Sequence, residues 1–158
     1  MKIKRKYYIA YGSNLNKWQM TARCPDAIDV GTAELEGWRL AYRGSKSGAY
    51  LTIIPDKRGT VPVAIWAVSQ QDEKNLDRYE GYPSFYRKKI MTVHMRKRDG
   101  EPAEVKAFVY LMHADSRPGI PSLAYQQTCM IGYRHFGFSP VYLQEAYNDA
   151  NTELMRMI

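Results

Sequence analysis

Hydrophobic and polar residues alternate over short distances in the first two thirds of the chain, a pattern typical of β-strands. The first such segment, 7–11, is rich in tyrosine and ends at the Gly-Ser-Asn sequence of residues 12–14. Four more apolar segments follow: 30–35, 38–42, 50–54 and 61–68. The turn sequences that separate them are 36–37, 44–48 and 55–59. Strands at this spacing with turn residues between them predict a barrel or a sandwich rather than βαβ units.

Helical patterns occur at four places in the sequence. They are residues 15–22, a stretch from Ser69 as N-cap to Gly81 as C′ residue, 121–136 and 140–154. Two alternating segments, 86–95 and 103–111, are joined by the hairpin sequence of residues 98–100. There is no internal repeat and no linker, so residues 1–158 predict one α+β domain.

Length and composition exclude several classes of protein. The longest apolar run, 61–68, is far shorter than the ~18 residues that a membrane helix needs. The basic start, residues 1–6, precedes an apolar stretch too short for a signal peptide. The two cysteines, Cys24 and Cys129, are too few for a disulfide scaffold. These features predict a soluble protein of the reducing cytoplasm.

The charge of the chain leaves more than one class of partner open. Lysine and arginine outnumber aspartate and glutamate by 23 to 16, which gives a net charge of +7. Such a charge suits a nucleic acid, a substrate with carboxylates, or solubility alone. The basic runs 87–89 and 96–98 lie at the ends of one hairpin, where solvated lysines are common, so we expect no nucleic-acid partner. The three histidines lie on different predicted elements, so we expect no metal site.

The turn after the first strand is a candidate anion-binding element. A strand that breaks into Gly-Ser-Asn exposes consecutive backbone N–H groups, which can hold a carboxylate or a developing oxyanion. We expect Gly12 to adopt a positive φ there. By itself such a sequence is more often an ordinary turn.

Glu80 is the candidate acid or base. It lies in the last turn of the predicted helix, where the negative end of the helix dipole raises the pKa of a carboxyl. Partial desolvation would move that pKa further toward neutrality. The alternative interpretation is a surface ion pair of Glu80 with Arg78 or Lys88.

Tyrosine is unusually frequent, with thirteen tyrosines against four phenylalanines. Tyr86, Tyr110 and Tyr125 lie where predicted strands or helices begin or end. A tyrosine that lines a polar pocket offers a ring face and a hydroxyl donor. Each of these residues taken alone is equally suited to core or rim packing.

Together these motifs resemble the γ-glutamylcyclotransferase family, which includes AIG2-like and butirosin-pathway proteins. The sequence Tyr8-Ile-Ala-Tyr-Gly-Ser-Asn-Leu15 is similar to the family's N-terminal substrate loop. Leu76-Asp-Arg-Tyr-Glu-Gly81 is similar to the Leu-Asp-x-x-Glu-Gly motif that carries the family's catalytic glutamate, and Tyr110-Leu-Met112 is similar to a strand end. The segment 121–143 resembles the glutathione-type branch, although the loop between Gly81 and Tyr86 is one residue shorter than in that branch.

The resemblance implies a mostly antiparallel β-barrel flanked by helices, with a C-terminal helical segment. It implies conversion of an L-γ-glutamyl amino acid or amine to 5-oxoproline and the free amine, with Glu80 as general acid and base. It implies no metal and no cofactor, a small-molecule substrate as partner, and compatibility with a homodimer. The substrate-binding residues that it implies are Tyr8, Ile9, Ala10, Tyr11, Gly12, Ser13, Asn14, Tyr86, Tyr110 and Tyr125. Two alternatives remain open: a different leaving group, such as a γ-glutamylamine or a natural-product amine, and a binding module of the same fold without turnover.

Overall fold

A computed structural model describes residues 3–44 and 48–158, and the predicted turn 44–48 therefore lies partly outside the described residues. Six strands are present in the described residues: β1 Arg5–Ala10, β2 Ile28–Gly44, β3 Tyr50–Ser69, β4 Tyr86–Lys97, β5 Pro102–Met112 and β6 Arg117–Pro118. Five of them close into a barrel in the order β2-β3-β1-β5-β4, and β4 returns to pair with β2. The predicted barrel is thus confirmed.

The barrel is mixed rather than purely antiparallel. The pair β1–β5 is parallel, with Tyr8 opposite Phe108, and the other pairs of the closed barrel are antiparallel. Strand β1 lies between β3 and β5, so its carboxyl end emerges from the middle of the sheet. The turn that follows β1 therefore begins at one end of the barrel, next to the buried residues Ala10 and Tyr11.

Two predicted strand breaks are absent. Segments 30–35 and 38–42 form one strand, β2, and segments 50–54 and 61–68 form one strand, β3. The ladder between β2 and β3 has an irregularity at Glu36/Trp38, where the pairing skips Gly37 with a φ of 86°. Gly59 allows β3 to approach the Trp38 carbonyl so closely that a Cβ there would collide with it. Gly37 and residues 56–59 thus form an unpaired irregularity within two continuous strands, rather than breaks between separate strands.

Four α-helices flank the barrel: α1 Lys17–Arg23, α2 Gln70–Glu80, α3 Leu123–Phe136 and α4 Val141–Arg156. Helix α1 begins two residues later than predicted because Asn16 is its N-cap, whose side chain accepts hydrogen bonds from the amides of Trp18 and Gln19. The predicted ends of α2 are confirmed: Ser69 forms a capping box, and Gly81 is left-handed with a φ of 65°. None of the helices in the described residues is long and apolar enough to cross a membrane.

Helix α3 fixes the position of the turn after β1. Residues Ser13–Leu15 form a short 3₁₀ turn that packs against α3. Gly132 of α3 makes this contact, since a Cβ at that position would lie 2.5 Å from the Asn16 nitrogen and 2.6 Å from the Leu15 carbonyl carbon. Leu15 itself is fully buried in the core. The turn is therefore held from two sides, by the barrel and by α3.

Candidate active site

A cavity of about 280 Å³ lies where β1 ends, beside the carboxyl end of α2. Most of its lining residues are aromatic or polar, and seven are tyrosines. The lining residues are Tyr8, Tyr11, Gly12, Ser13, Asn14, Gln19, Arg23, Tyr50, Leu51, Tyr79, Glu80, Phe85, Tyr86, Tyr110 and Tyr125. The structure thus brings Glu80, the Gly12 turn and the three singled-out tyrosines to one site.

Glu80 is the acidic residue of this cavity. It is the last residue of α2, and the left-handed Gly81 turns the chain away behind it. Burial raises the pKa of the Glu80 carboxyl to about 7, while the nearby Arg23 guanidinium acts in the opposite direction. A carboxyl with this pKa exchanges a proton readily at neutral pH.

The ion pair considered for Glu80 is made by other residues. The ammonium group of Lys88 lies 2.8 Å from Glu73 and 2.9 Å from Asp77, both on α2. Within the described part of the chain, Glu80 forms no ion pair with Arg78 or Lys88. Lys88 instead pairs with two other carboxylates of α2, while Glu80 lines the cavity.

The Gly12 turn differs from the expectation in its backbone. Gly12 has a φ of −130°, so the predicted positive φ is wrong. A Cβ at Gly12 would lie 3.4 Å from the Tyr125 hydroxyl oxygen and from Leu51. The amides of Leu15 and Asn16 donate back to the carbonyls of Gly12 and Ser13. The first amides of such a turn have no partner within it, so those of Ser13 and Asn14 can serve a ligand.

Three of the cavity tyrosines build its walls. The Tyr11 hydroxyl donates to the Tyr110 carbonyl at 2.7 Å, and the Tyr86 hydroxyl donates to the Leu51 carbonyl at 2.8 Å. The Tyr110 hydroxyl donates to the Asp77 carboxylate at 2.6 Å. Because each of these hydroxyls gives its proton to the protein, these tyrosines position the wall and present ring surface to a ligand.

Tyr8 and Tyr125 use their hydroxyls differently. The Tyr8 hydroxyl accepts a hydrogen bond of 3.0 Å from the Asn14 side-chain amide, and the Tyr125 hydroxyl accepts one of 3.0 Å from the Leu51 amide. A hydroxyl that accepts keeps its own proton for donation. Burial raises the pKa of both phenols well above the usual value, so both stay protonated. These two tyrosines are the best hydroxyl donors for a ligand.

Two of the residues implied by the family motif do not line the cavity. Ile9 and Ala10 pair with Ile65 and Ala64 of β3, and their side chains are buried in the barrel core. They share the sequence motif with Tyr8 and Tyr11 because the motif spans both the strand and the turn. Their pairing with β3 sets the register of β1 and with it the position of the turn.

Several cavity residues were not identified from the sequence. Gln19 and Arg23 both donate to the Asn14 side-chain oxygen, at 3.3 and 3.1 Å, and the Arg23 guanidinium lies 4.4 Å from the centre of the Tyr79 ring. Tyr50 and Phe85 form another part of the rim. The available signal was the spacing of four between Gln19 and Arg23, which places two polar side chains on one face of α1.

The other candidate chemistry is not assembled in the described residues. They contain no group of three or more histidine, cysteine, aspartate or glutamate residues that could hold a metal ion. Cys24 and Cys129 are buried, and burial raises the pKa of each thiol to about 12. Neither cysteine is therefore a thiolate at neutral pH.

Comparisons with known proteins point to one family. Residues 8–127 match the family model described as gamma-glutamyl cyclotransferase, AIG2-like. The mouse protein gamma-glutamylcyclotransferase is 27% identical over 146 residues, which cover 87% of this chain and 75% of the mouse protein. A solved structure of a gamma-glutamyl cyclotransferase has a TM-score of 0.71 at 25% identity and covers 90% of this chain and 86% of that one. The Bacillus subtilis protein YkqA shares the fold, with a TM-score of 0.74 at 21% identity, over 94% of this chain and 55% of that protein.

Proposed function

The chain belongs to the gamma-glutamyl cyclotransferase, AIG2-like family, and on this basis we propose that it converts L-γ-glutamyl compounds to 5-oxoproline and a free amine. The α-amino nitrogen of the substrate attacks the γ-carbonyl carbon of the same glutamyl group. One observation carries the proposal: a carboxyl with a pKa of about 7, that of Glu80, lines the same cavity as the Gly12 turn.

The reaction requires little beyond folding the substrate and moving protons. Nucleophile and electrophile belong to one molecule, so an enclosing cavity that selects the bent conformation removes much of the entropic barrier. A cavity of about 280 Å³ with aromatic walls restricts a chain of this size. The ring faces of Tyr86 and Tyr110, fixed by their own hydrogen bonds, form such walls.

Glu80 can transfer the protons that the reaction moves from the attacking nitrogen to the departing nitrogen. The α-ammonium group loses one proton before it attacks and a second after the new C–N bond forms. The departing nitrogen gains two protons as the old C–N bond breaks, and it leaves as an ammonium ion in neutral solution. One carboxyl that accepts each proton and passes it on is sufficient, and a pKa of about 7 favours both directions.

Negative charge on the substrate needs donors at two places, the α-carboxylate and the γ-carbonyl oxygen. The amides of Ser13 and Asn14 and the hydroxyls of Tyr8 and Tyr125 form one set of donors around the cavity. Donors held in place before the reaction stabilise an oxyanion without reorganisation. We assign both anionic groups of the glutamyl moiety to this set.

The direct test is incubation of the protein with γ-L-glutamyl-L-alanine, with 5-oxoproline and free alanine measured together. Wild type should release the two products in equal amounts. Glu80→Gln should lower kcat by roughly 10²–10⁴-fold, because the amide cannot accept a proton. Activity of Glu80→Gln within tenfold of wild type would exclude Glu80 as the general base.

Glu73→Gln is the matched control, since Glu73 lies on the same helix but outside the cavity, paired with Lys88. It should retain turnover. A thermal denaturation curve for each variant separates lost chemistry from lost folding. Failure of wild type to form 5-oxoproline from either γ-L-glutamyl-L-alanine or γ-L-glutamylethylamide would contradict the proposed activity.

A further inference from the structure

Helix α2, which ends at Glu80, has little apolar surface against the barrel. Leu76 is the only buried apolar side chain of this helix. At the amino end, the buried Asp72 is fixed by the capping box. At the carboxyl end, Asp77 lies one turn before Glu80. A helix with so little apolar packing depends on such polar contacts for its exact position.

One oxygen of Asp77 joins the end of α2 to two strands of the barrel. Its Oδ1 accepts a hydrogen bond of 2.6 Å from the Tyr110 hydroxyl and lies 2.9 Å from the Lys88 ammonium nitrogen. Lys88 of β4 and Tyr110 of β5 are direct partners in the ladder. A hydroxyl–carboxylate bond of this length is charge-assisted and about twice as strong as one between neutral groups. Asp77 therefore fastens the last turn of α2 to the β4–β5 ladder.

Lys88 is the counterion of this contact. The side chains of Asp77 and Lys88 are only 29% and 19% exposed. The Lys88 ammonium nitrogen lies 4.4 Å from the centre of the Tyr82 ring, a distance that favours its charge. Although burial acts to lower the pKa of Lys88, hydrogen bonds with Asp77 and Glu73 outweigh it and raise that pKa. Lys88 thus stays charged and offsets the charge of the Asp77 carboxylate.

Tyr110 carries the contact from Asp77 to the cavity. Its ring lines the cavity and meets the Tyr8 ring edge to face at 5.8 Å. Its carbonyl accepts a hydrogen bond of 2.7 Å from the Tyr11 hydroxyl. Tyr110 is therefore fixed to its neighbours in the wall at one end and to α2 at the other.

The backbone of Asp77 acts on the segment that carries Glu80. Its carbonyl accepts a hydrogen bond of 2.9 Å from the Tyr82 amide, which closes the turn at the left-handed Gly81. Asp77 itself does not line the cavity. It thus contacts both the wall and the segment of the acid–base residue without reaching a ligand.

We propose that Asp77 is a positioning residue: its hydrogen bond with Tyr110, with Lys88 as counterion, sets the distance between the Glu80 carboxyl and the tyrosine wall of the cavity. The expected effect on turnover rests on the proposed function, whereas the contact itself can be tested without turnover. The alternative is a partly exposed ion pair of Asp77 and Lys88 that contributes to stability alone.

Two single variants remove this hydrogen bond from opposite sides. Tyr110→Phe keeps the ring that lines the cavity, and Asp77→Ala removes the acceptor. Each should lower kcat on γ-L-glutamyl-L-alanine by roughly 10- to 100-fold, because Glu80 is displaced from the reacting nitrogen. KM should change less, since the ring surface remains. The double variant should lose about as much as the more impaired single variant, because both substitutions remove the same bond.

Two further variants separate positioning from charge and from stability. Asp77→Asn keeps an acceptor oxygen for the Tyr110 hydroxyl and should retain much of the kcat that Asp77→Ala loses. Glu73→Gln is the matched control, because Glu73 pairs with Lys88 from the same helix. It has no contact with Tyr110 among the contacts described and should keep wild-type kcat. If Asp77→Ala fails to fold, Tyr110→Phe and Asp77→Asn supply the comparison.

The position of Glu80 can be measured without substrate. Titration of the Glu80 carboxyl by ¹³C NMR, with Glu80→Gln to assign its signal, should give a pKa of about 7 in wild type. In Tyr110→Phe the end of α2 is released and water reaches Glu80, so this pKa should fall toward 4.5. The charges of Asp77 and Arg23 are present in both proteins, so the difference reports solvation.

An unchanged titration of Glu80 in Tyr110→Phe would overturn the inference, whether or not the protein turns over its substrate. Additive losses in the double variant would overturn it as well, and so would wild-type kcat in an Asp77→Ala protein that is merely less stable. None of these results would affect the proposed cyclisation. Absence of 5-oxoproline with wild type would instead overturn the proposed function, and the titration would still decide whether Asp77 positions Glu80.

Discussion

The Tyr8 hydroxyl accepts a hydrogen bond of 3.0 Å from the side-chain amide of Asn14. The oxygen of the same Asn14 side chain accepts hydrogen bonds from Gln19 and Arg23. Asn14 is only 3% exposed, so water does not replace these partners. One buried amide therefore orients both a hydroxyl donor and the cation of the cavity.

The first prediction concerns this amide. Asn14→Ala should lower kcat/KM for γ-L-glutamyl-L-alanine by roughly 10- to 100-fold, since Tyr8 and Arg23 both lose their orientation. It should also lower the free energy of unfolding by about 1–3 kcal/mol, because buried donors lose their acceptor. Asn148→Ala, on the exposed side of α4, is the control. Steady-state kinetics and urea denaturation measure both effects, and wild-type kcat/KM in Asn14→Ala would contradict the role of Asn14.

The second prediction is the pH dependence of turnover. The base form of Glu80 is the ionised form, so kcat/KM should rise tenfold per pH unit below about pH 7 and become constant above it. Arg23 favours the ionised form of Glu80, and Arg23→Met should therefore move this rise to higher pH. Initial rates from pH 5 to 9 measure both positions. A rate without dependence on pH across 6–8 would argue against Glu80 as the titrating base.

The third prediction is a pH-dependent effect on stability. Burial raises the pKa of Glu80 from 4.5 in the unfolded chain to about 7 in the folded protein. The folded state therefore binds more protons between these values, and the contribution of Glu80 to stability declines as pH rises from 4.5 to 7. Glu80→Gln should be more stable than wild type by about 1–3 kcal/mol at pH 8 and nearly equal to it at pH 4.5.

Urea denaturation of the two proteins at both pH values tests this expectation. Glu73→Gln is again the control, because ion pairs with Lys88 and Lys6 lower the pKa of Glu73. The change in stability expected for Glu73→Gln has the opposite sign to that of Glu80→Gln. The folded state favours the ionised form of Glu73, so loss of that carboxylate should lower the free energy of unfolding at pH 8. A Glu80→Gln variant that is less stable than wild type at pH 8 would show that the Glu80 carboxylate is not desolvated.

Local sequence signals predicted both ends of α2 correctly. Ser69 as N-cap and Gly81 as left-handed C′ residue are features of single positions, so their effect can be read without knowledge of distant residues. The breaks predicted at 36–37 and 55–59 were wrong because β2 and β3 pair on both sides of these residues: Gly37 and residues 56–59 leave the ladder, but each strand continues beyond them. Strand pairing is a property of two segments, and no single segment reveals it.

The candidate site likewise contains residues that a local motif identifies and residues whose role depends on distant parts of the chain. Glu80 and the Gly12 turn were identified from motifs, and the structure places both in one cavity. Arg23 was missed because its role depends on Asn14 and Tyr79, which come from a turn and another helix. The motif also could not separate inward from outward positions, so Ile9 was grouped with its neighbours although it belongs to the core.

The fourth prediction concerns the space at Gly12. Gly12→Val should lower kcat/KM strongly, because its side chain must displace Leu51 or the Tyr125 hydroxyl, each 3.4 Å from the first carbon added. Gly12→Ala adds that carbon alone and should have a smaller effect. Turnover of both variants, with circular dichroism to verify folding, measures the series. Full activity of Gly12→Val would mean that the space between the turn and the Tyr125 hydroxyl is not part of the substrate site.

The last prediction concerns the contact between α3 and the 3₁₀ turn. A Cβ at Gly132 would lie 2.5 Å from the Asn16 nitrogen and 2.6 Å from the Leu15 carbonyl carbon, and neither backbone atom can move without shifting the turn. Gly132→Ala should therefore lower the free energy of unfolding by about 1–3 kcal/mol. This loss would occur although alanine favours a helix over glycine by about 1 kcal/mol.

The same substitution should affect the substrate site at a distance. Displacement of Leu15 and Asn16 moves the donors of the turn relative to Glu80, so kcat/KM should decline even in the fraction of Gly132→Ala that is folded. Activity measured at a temperature well below the melting transition separates this effect from unfolding. A Gly132→Ala variant that is as stable as wild type would show that α3 moves away from the turn, and unchanged kcat/KM would show that the turn needs no support from α3.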